Sequence, residues 1–235
     1  NKIHQNLHGH WYDVRYTNVR YDDIQIDAKS TENEIVIILD NNNGDILDFL
    51  CFFTLNTYNL NNDVRSRNIY LIGPMGVGKT SVGRQLAGLL HRPFVDVDAE
   101  IESRCGADIQ WIFDMEGEAG FRERESKVLI DLVADKQPKV IATGGGIILS
   151  GDNRGILQSS GLVVYLSATF EQLVERTKRD KTRPLLQVDD REAVIKQLIE
   201  TRSPLYHQVA DLVFPSGSTQ PLKLAKKLAE AVSAL

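Results

Sequence analysis

The chain has little cysteine, no basic surplus and no long apolar run, and each shortage closes off a class of protein. Its two cysteines, Cys51 and Cys105, cannot make a disulfide framework, so the expectation is a reduced, cytoplasmic protein. The net charge is −5, whereas a dedicated nucleic-acid binder needs a Lys and Arg surplus to neutralise phosphates. The most apolar stretch, Ile46 to Leu55, carries Asp48 and is too short for a hydrocarbon layer about 30 Å thick, so no membrane partner is expected. The first thirty residues are polar throughout, unlike a basic start followed by an apolar signal segment. No internal repeat or coiled-coil pattern is present. What is there is 42% hydrophobic and 25% charged residues in a chain of 235, enough to bury a real core in one α/β domain with something to spare.

The charge is unevenly placed. Of 27 basic and 32 acidic residues, five and ten precede position 67, which leaves 22 of each after it. Asparagine follows the same division, with eleven before position 67 and only Asn68 and Asn153 after it. This composition shift places a domain boundary near Ser66.

From Arg67 onward strand and helix signals alternate, the pattern of a parallel sheet covered by helices. Strands are expected at Asn68–Ile72, Phe94–Val97, Lys139–Ala142, Leu162–Leu166 and Asp211–Phe214. Val82, Leu86, Leu89 and Leu90 fall on one helical face, as do Leu224, Leu228, Ala231 and Leu235 near the end. Further helices are expected at Phe170–Lys178 and Arg191–Thr201.

The sharpest local signal is Gly73-Pro74-Met75-Gly76-Val77-Gly78-Lys79-Thr80, a match to the phosphate-loop pattern G-x-x-x-x-G-K-[ST]. Glycines let the backbone bend so that successive N–H groups converge on one anion, and the helix that follows adds its positive N-terminal end. Lys79 then neutralises the outer phosphates and the Thr80 hydroxyl ligates Mg²⁺. A buried strand before the glycines and an amphipathic helix after them supply the context this mechanism requires.

Other clusters leave alternatives open. Asp96-Val97-Asp98 ends the second strand, where alternate side chains of an extended segment share a face beside the phosphate loop. One carboxylate can bind Mg²⁺ through water while the other orients or deprotonates an acceptor hydroxyl; solvated loop carboxylates are the plainer account. The third strand runs into Thr143-Gly144-Gly145-Gly146 without a carboxylate, either a flexible loop or a backbone that a small ligand touches closely. Gly120-Phe121-Arg122-Glu123-Arg124-Glu125 reads as a helix face with ion pairs three or four residues apart. Thr182-Arg183-Pro184-Leu185-Leu186, between two helices, is either an exposed connector or a mobile lid over the phosphate site.

Taken in order, Gly-Pro-Met-Gly-Val-Gly-Lys-Thr, Asp-Val-Asp, Gly-Phe-Arg, Thr-Gly-Gly-Gly, Arg-Pro-Leu-Leu and Arg-Ser-Pro-Leu-Tyr resemble bacterial shikimate kinase over about residues 67 to 235. The resemblance implies a P-loop three-layer α/β/α fold of the nucleoside-monophosphate-kinase-like type, with a five-stranded parallel sheet, a mobile lid and substrate-binding helices. It implies transfer of the ATP γ-phosphoryl group to a ring hydroxyl of shikimate, a step toward chorismate and the aromatic amino acids. By motif position, ATP phosphates would be held by Gly76, Val77, Gly78, Lys79, Thr80 and Ser81, and Mg²⁺ by Thr80 with Asp96 linked through water. Asp98 would bind the shikimate hydroxyls and act as base. Arg122, Gly145 and Arg202 would hold the acid, Arg183 would close over the phosphates, and Arg176 with the loop at Gln220 and Pro221 would meet adenine. Phe113 and Phe121 would wall the pocket or serve the core. The resemblance also implies a monomer.

Residues 1–66 lie outside this resemblance. Glu34–Asp40, and Tyr16–Asp27 in part, read as strand; the Asn-rich stretches read as loop or disorder. His4, His8 and His10 read as solvated histidines rather than a metal site. A small appended domain, a leader and translated upstream sequence stay open. Rival readings of the whole are a P-loop kinase for gluconate or a nucleoside monophosphate, a nucleotide switch, and an interaction protein using residues 1–66.

Overall fold

The structure, a computed structural model, describes residues 67–178, 187–188, 190–217 and 219–235, together with the backbone of residues 2–7, 10–15, 24–31, 34–41 and 46–47. The chain divides into two compact units, Asn1–Asn62 and Asp63–Leu235. In the first, β1 (Lys2–Leu7) pairs antiparallel with β2 (His10–Arg15), and β3 (Ile24–Thr31), β4 (Glu34–Asn41) and β5 (Ile46–Leu47) form a three-stranded antiparallel sheet. The strand expected over Glu34–Asp40 is present, and the one sought in Tyr16–Asp27 begins at Ile24. The polar start holds two strands that the sequence reading did not assign, where Trp11, Tyr12 and Val14 carry aromatic and β-branched preference for a pleated backbone. Within it, His4 lies opposite Asp13 and His10 opposite Leu7; His8, Asn42, Asn43 and Ser66 lie outside the described residues.

The second unit is a parallel sheet in the order β10–β9–β6–β8–β7, with β6 at Asn68–Ile72, β7 at Phe94–Asp96, β8 at Val140–Ala142, β9 at Gly161–Ser167 and β10 at Leu212–Pro215. Central β6 is buried on both faces, as its unbroken apolar run requires. Ile69 and Leu71 face one core, with Val82 and Leu86 of α1 (Lys79–Leu90), Leu173 of α5 (Phe170–Thr177) and Leu224 and Leu228 of α7 (Pro221–Ser233). Tyr70 and Ile72 face the other, with Ile101 of α2 (Val97–Cys105), Ile112, Val128 and Leu129 of α3 (Ile109–Ala134) and Leu157 of α4 (Gly151–Ser160). The period-two alternation of one strand thus divides the unit into three layers. Each aliphatic side chain fully buried in this way contributes about 1.5–3 kcal/mol relative to exposure. Helix α6 (Arg191–Val209) reaches both cores, through Ile195 and Tyr206 respectively.

Several expected helix faces and ends shift. Leu89 is 38% exposed, because the buried face of α1 centres on Val82, Gly83, Leu86 and Ala87. Gly83 admits the ring of Phe94, whose Cε2 would stand 2.5 Å from an added Cβ. Likewise α7 buries Leu224, Ala225, Leu228 and Val232, while Leu235 follows the helix and is 47% exposed. Helix α6 does not stop at Thr201; it continues through Pro204 to Val209. The proline removes one backbone hydrogen bond, and buried Arg202, Tyr206 and Val209 keep the last turns packed. Among the described residues no helix is long and apolar enough to cross a membrane.

Candidate active site

The loops after β6, β7 and β8 leave the sheet at its carboxyl edge, where ligands of open α/β sheets bind. The first is the phosphate loop. Gly76 has φ +73° and Gly78 has φ +100°, both left-handed, and a Cβ at Gly76 would meet Thr177 Cγ2 at 2.7 Å. Val77 is buried in the core and pins the loop from below. Helix α1 starts at Lys79, whose Nζ donates to the carbonyl oxygens of Gly73 (2.8 Å) and Pro74 (2.9 Å) and so lies back across the loop. Ser81 is exposed one residue past Thr80.

Thr80 Oγ1 donates to Asp96 Oδ2 at 2.6 Å, which ties α1 to the end of β7. The second strand is shorter than expected: Asp96 ends it and caps α2, with Oδ1 accepting from the N–H groups of Asp98 (3.1 Å) and Ala99 (3.4 Å). Asp96 and Asp98 therefore do not share the face of an extended strand. A strand-to-helix turn brings both to one cavity instead, because an Asp at an N-cap satisfies orphan N–H groups and starts the helix early.

That cavity has a volume of about 350 Å³, the scale of a small-molecule site. Thr80, Asp96, Asp98, Arg122, Gly144 to Gly146 and Arg202 line it together, with Phe113 and Phe121 on the wall. The two rings pack at 5.0 Å; Phe121 is also core, so pocket and core roles coincide there.

The triple glycine is closely packed rather than loose. A Cβ at Gly144 would lie 2.1 Å from Glu125 Oε1 and 3.0 Å from Asp98 Oδ1, and one at Gly146 would lie 2.3 Å from the Arg122 guanidinium carbon. Side chains of α2 and α3 occupy the space that Cβ atoms would need. Gly145 accepts a hydrogen bond through its carbonyl from the Tyr206 hydroxyl, and Tyr206 stacks on Tyr165 at 5.0 Å. Burial raises the pKa of Tyr206 far above the usual phenol value, despite the opposing Arg202 charge, so it remains a donor.

Arg122 is held by Glu125 Oε2 at 2.8 Å and by Glu118 Oε1 at 3.0 Å, the three- and four-residue helix pairing expected of this face. Burial works against its charge, but these carboxylates outweigh that and raise its pKa. Glu125 went unassigned as a site residue in the sequence. It is fully buried, and its Oε1 is the one buried side-chain polar atom without a hydrogen bond among the described residues. Burial raises its pKa above the ordinary carboxylate value, Asp98 adds to the rise, and Arg122 and Arg202 oppose it. Its sequence signal was only its place three residues after Arg122; Tyr206, also missed, closes the quoted Arg-Ser-Pro-Leu-Tyr motif. Arg202 is 7% exposed, a buried guanidinium facing the cavity.

Other expected residues lie apart from this cavity. Arg176 donates to the Val77 carbonyl (3.2 Å), Ser216 Oγ (2.9 Å) and the Gly217 carbonyl, which ties the phosphate loop to the segment before α7. Gln220 caps α7 there and is exposed. Arg183 and the lid expected around it lie outside the described residues.

A family model for "Shikimate kinase" matches residues 75–233. Curated shikimate kinases of Francisella philomiragia and of Francisella tularensis subsp. novicida are each 50% identical over 165 residues, covering 70% of this chain and 94% of theirs. Among solved structures, shikimate kinase from Acinetobacter baumannii in complex with shikimate is 48% identical with a TM-score of 0.69, over 72% of this chain and 93% of that one. The Aquifex aeolicus enzyme is 39% identical with a TM-score of 0.62, over 72% and 98%. A phosphate loop facing a cup of two arginines and an aspartate, on this sheet and with these relatives, has one reading: the chain belongs to the shikimate kinase family.

Proposed function

We infer that the chain transfers the γ-phosphoryl group of ATP to a ring hydroxyl of shikimate, giving ADP and shikimate 3-phosphate. One observation carries this reading: Arg122 and Arg202 share a cavity of about 350 Å³ with Asp98, beside the phosphate loop. Shikimate is a small acid with three hydroxyls, and planar guanidinium groups suit its carboxylate while a carboxylate suits its hydroxyls. Arg122, Arg202 and the backbone at Gly145 would fix the carboxylate end, which turns the hydroxyl to be phosphorylated toward Asp98. Asp98 would accept that hydroxyl's proton as the oxygen attacks the γ-phosphorus and the bond to the β-γ bridging oxygen breaks.

The backbone N–H groups of Gly76 to Ser81 and the Lys79 ammonium would hold the triphosphate. In the structure Lys79 Nζ donates to the carbonyls of Gly73 and Pro74, within the loop that would receive the phosphates. Thr80 and Asp96 fit Mg²⁺: a hydroxyl and a carboxylate at 2.6 Å form an all-oxygen pair of hard donors. When bound there, Mg²⁺ supplies charge neutralisation at the nucleotide phosphates. Glu125 would keep the Arg122 guanidinium aimed at the acceptor. Arg176 and Gln220 are assigned to the adenine side and Arg183 to lid closure, on motif position.

We further propose that residues 67–235 constitute the kinase domain, that residues 1–66 are an extension without a catalytic part, and that the protein acts as a cytoplasmic monomer. A coupled ADP-release assay with ATP and Mg²⁺, offering shikimate, gluconate and AMP separately, tests the activity. ADP release should depend on shikimate and on neither of the others. Release that ignores shikimate would overturn the reading.

A further inference from the structure

One cation of the cavity has no part in the chemistry above. Arg84 lines it together with Thr80, Asp96, Asp98 and Glu102, and among the described residues its guanidinium makes no ion pair. It sits over the Phe94 ring, 5.8 Å from the centroid. That platform depends on Gly83, where any Cβ would strike the same ring. Arg84 follows Thr80 by four residues on α1, one helical turn, so the two occupy one face. Helical side chains lean toward the N-terminus of their helix, which points Arg84 back toward Thr80 and the phosphate loop.

We propose that Arg84 binds the phosphate of the phosphorylated product. The inference rests on the shikimate kinase reading above and adds a residue to it. Transfer converts a neutral hydroxyl into a monoester carrying close to two negative charges, and it does so beside Asp96 and Asp98. Two carboxylates next to a new dianion repel it. On that reading Lys79 and the phosphate loop belong to the nucleotide, and Arg122 and Arg202 to the acid, so among the described residues that line the cavity Arg84 is the guanidinium left. Its charge gains little from the hydroxyl and much from the ester, so it acts on product and not on substrate.

The test is calorimetric titration of the full chain with shikimate and with shikimate 3-phosphate, for wild type, Arg84→Met and Arg84→Lys. Methionine keeps an apolar stem over Phe94 and removes the charge; lysine keeps the charge. Arg84→Met should bind shikimate 3-phosphate about tenfold more weakly and shikimate within about twofold of wild type, with Arg84→Lys recovering most of the loss. Equal change for both ligands, or none for the ester, would overturn the role of Arg84 and assign it to packing on Phe94. Wild-type protein that neither binds nor phosphorylates shikimate would overturn the functional reading instead.

Discussion

The two ends of the cavity are built in opposite ways. The phosphate-loop end comes from eight consecutive residues, Gly73 to Thr80, of which Met75 and Thr80 line the cavity, shaped by left-handed glycines and a helix start. The other end draws Asp98 from α2, Arg122 from α3, Gly144 to Gly146 from the loop after β8, and Arg202 from α6, with Glu125 of α3 paired to Arg122 behind it. Backbone dihedrals set the first; packing between distant segments sets the second. On the proposed reading the contiguous cradle takes the nucleotide phosphates and the assembled cup selects the acceptor.

The largest expected effect would separate the two ends outright. Asp98→Asn should lower kcat about 1,000-fold while ATP affinity stays within about twofold, read by steady-state kinetics and nucleotide titration. A parallel loss of ATP binding would show that the ends are not independent. Next, Arg202→Ala should raise the shikimate KM about 10- to 100-fold, because one charge-assisted pair is lost, with a smaller change in kcat. An unchanged KM would move the carboxylate elsewhere.

A matched pair of glycine substitutions sharpens the contrast. Gly76→Ala forces a left-handed φ on alanine and presses Thr177, and should weaken ATP binding about tenfold with shikimate binding preserved. Gly144→Ala drives a methyl into Glu125 and Asp98, and should do the reverse by a similar factor. Calorimetry with each ligand alone reads both.

The smallest effect is a pH dependence. Glu125 has a raised pKa in the folded chain, so its contribution to stability is fully present below the ordinary glutamate value of about 4.3 and is lost as pH rises through the folded value. Glu125→Gln keeps an oxygen for Arg122 and removes the titration. As pH rises from the acid side, the stability of wild type relative to this variant should fall in denaturant unfolding. A constant difference would mean that Glu125 does not titrate.

Much of this was legible in one dimension. The three central strands of the parallel sheet are legible because buried parallel strands are continuous apolar runs, and the phosphate loop because its residues are consecutive. Asp96 and Asp98 were found by spacing, but for a geometry that the capping of α2 replaces. The expected end of α6 at Thr201 falls eight residues short, since local rules do not see the packing that carries Arg202 and Tyr206 onward. Glu125 looked like one acid of a charged helix face. Only the approach of Gly144 reveals that it is enclosed.

What consecutive residues decide alone is the run of strands and helices, the anion-binding turn and the set of groups available for phosphoryl transfer. These follow from dihedral preferences and side-chain periodicity within a few residues. The tertiary structure decided which acid is buried, which arginines share a cavity and why three glycines follow β8. Those depend on van der Waals contact and desolvation between segments distant in the chain, and no local pattern encodes either.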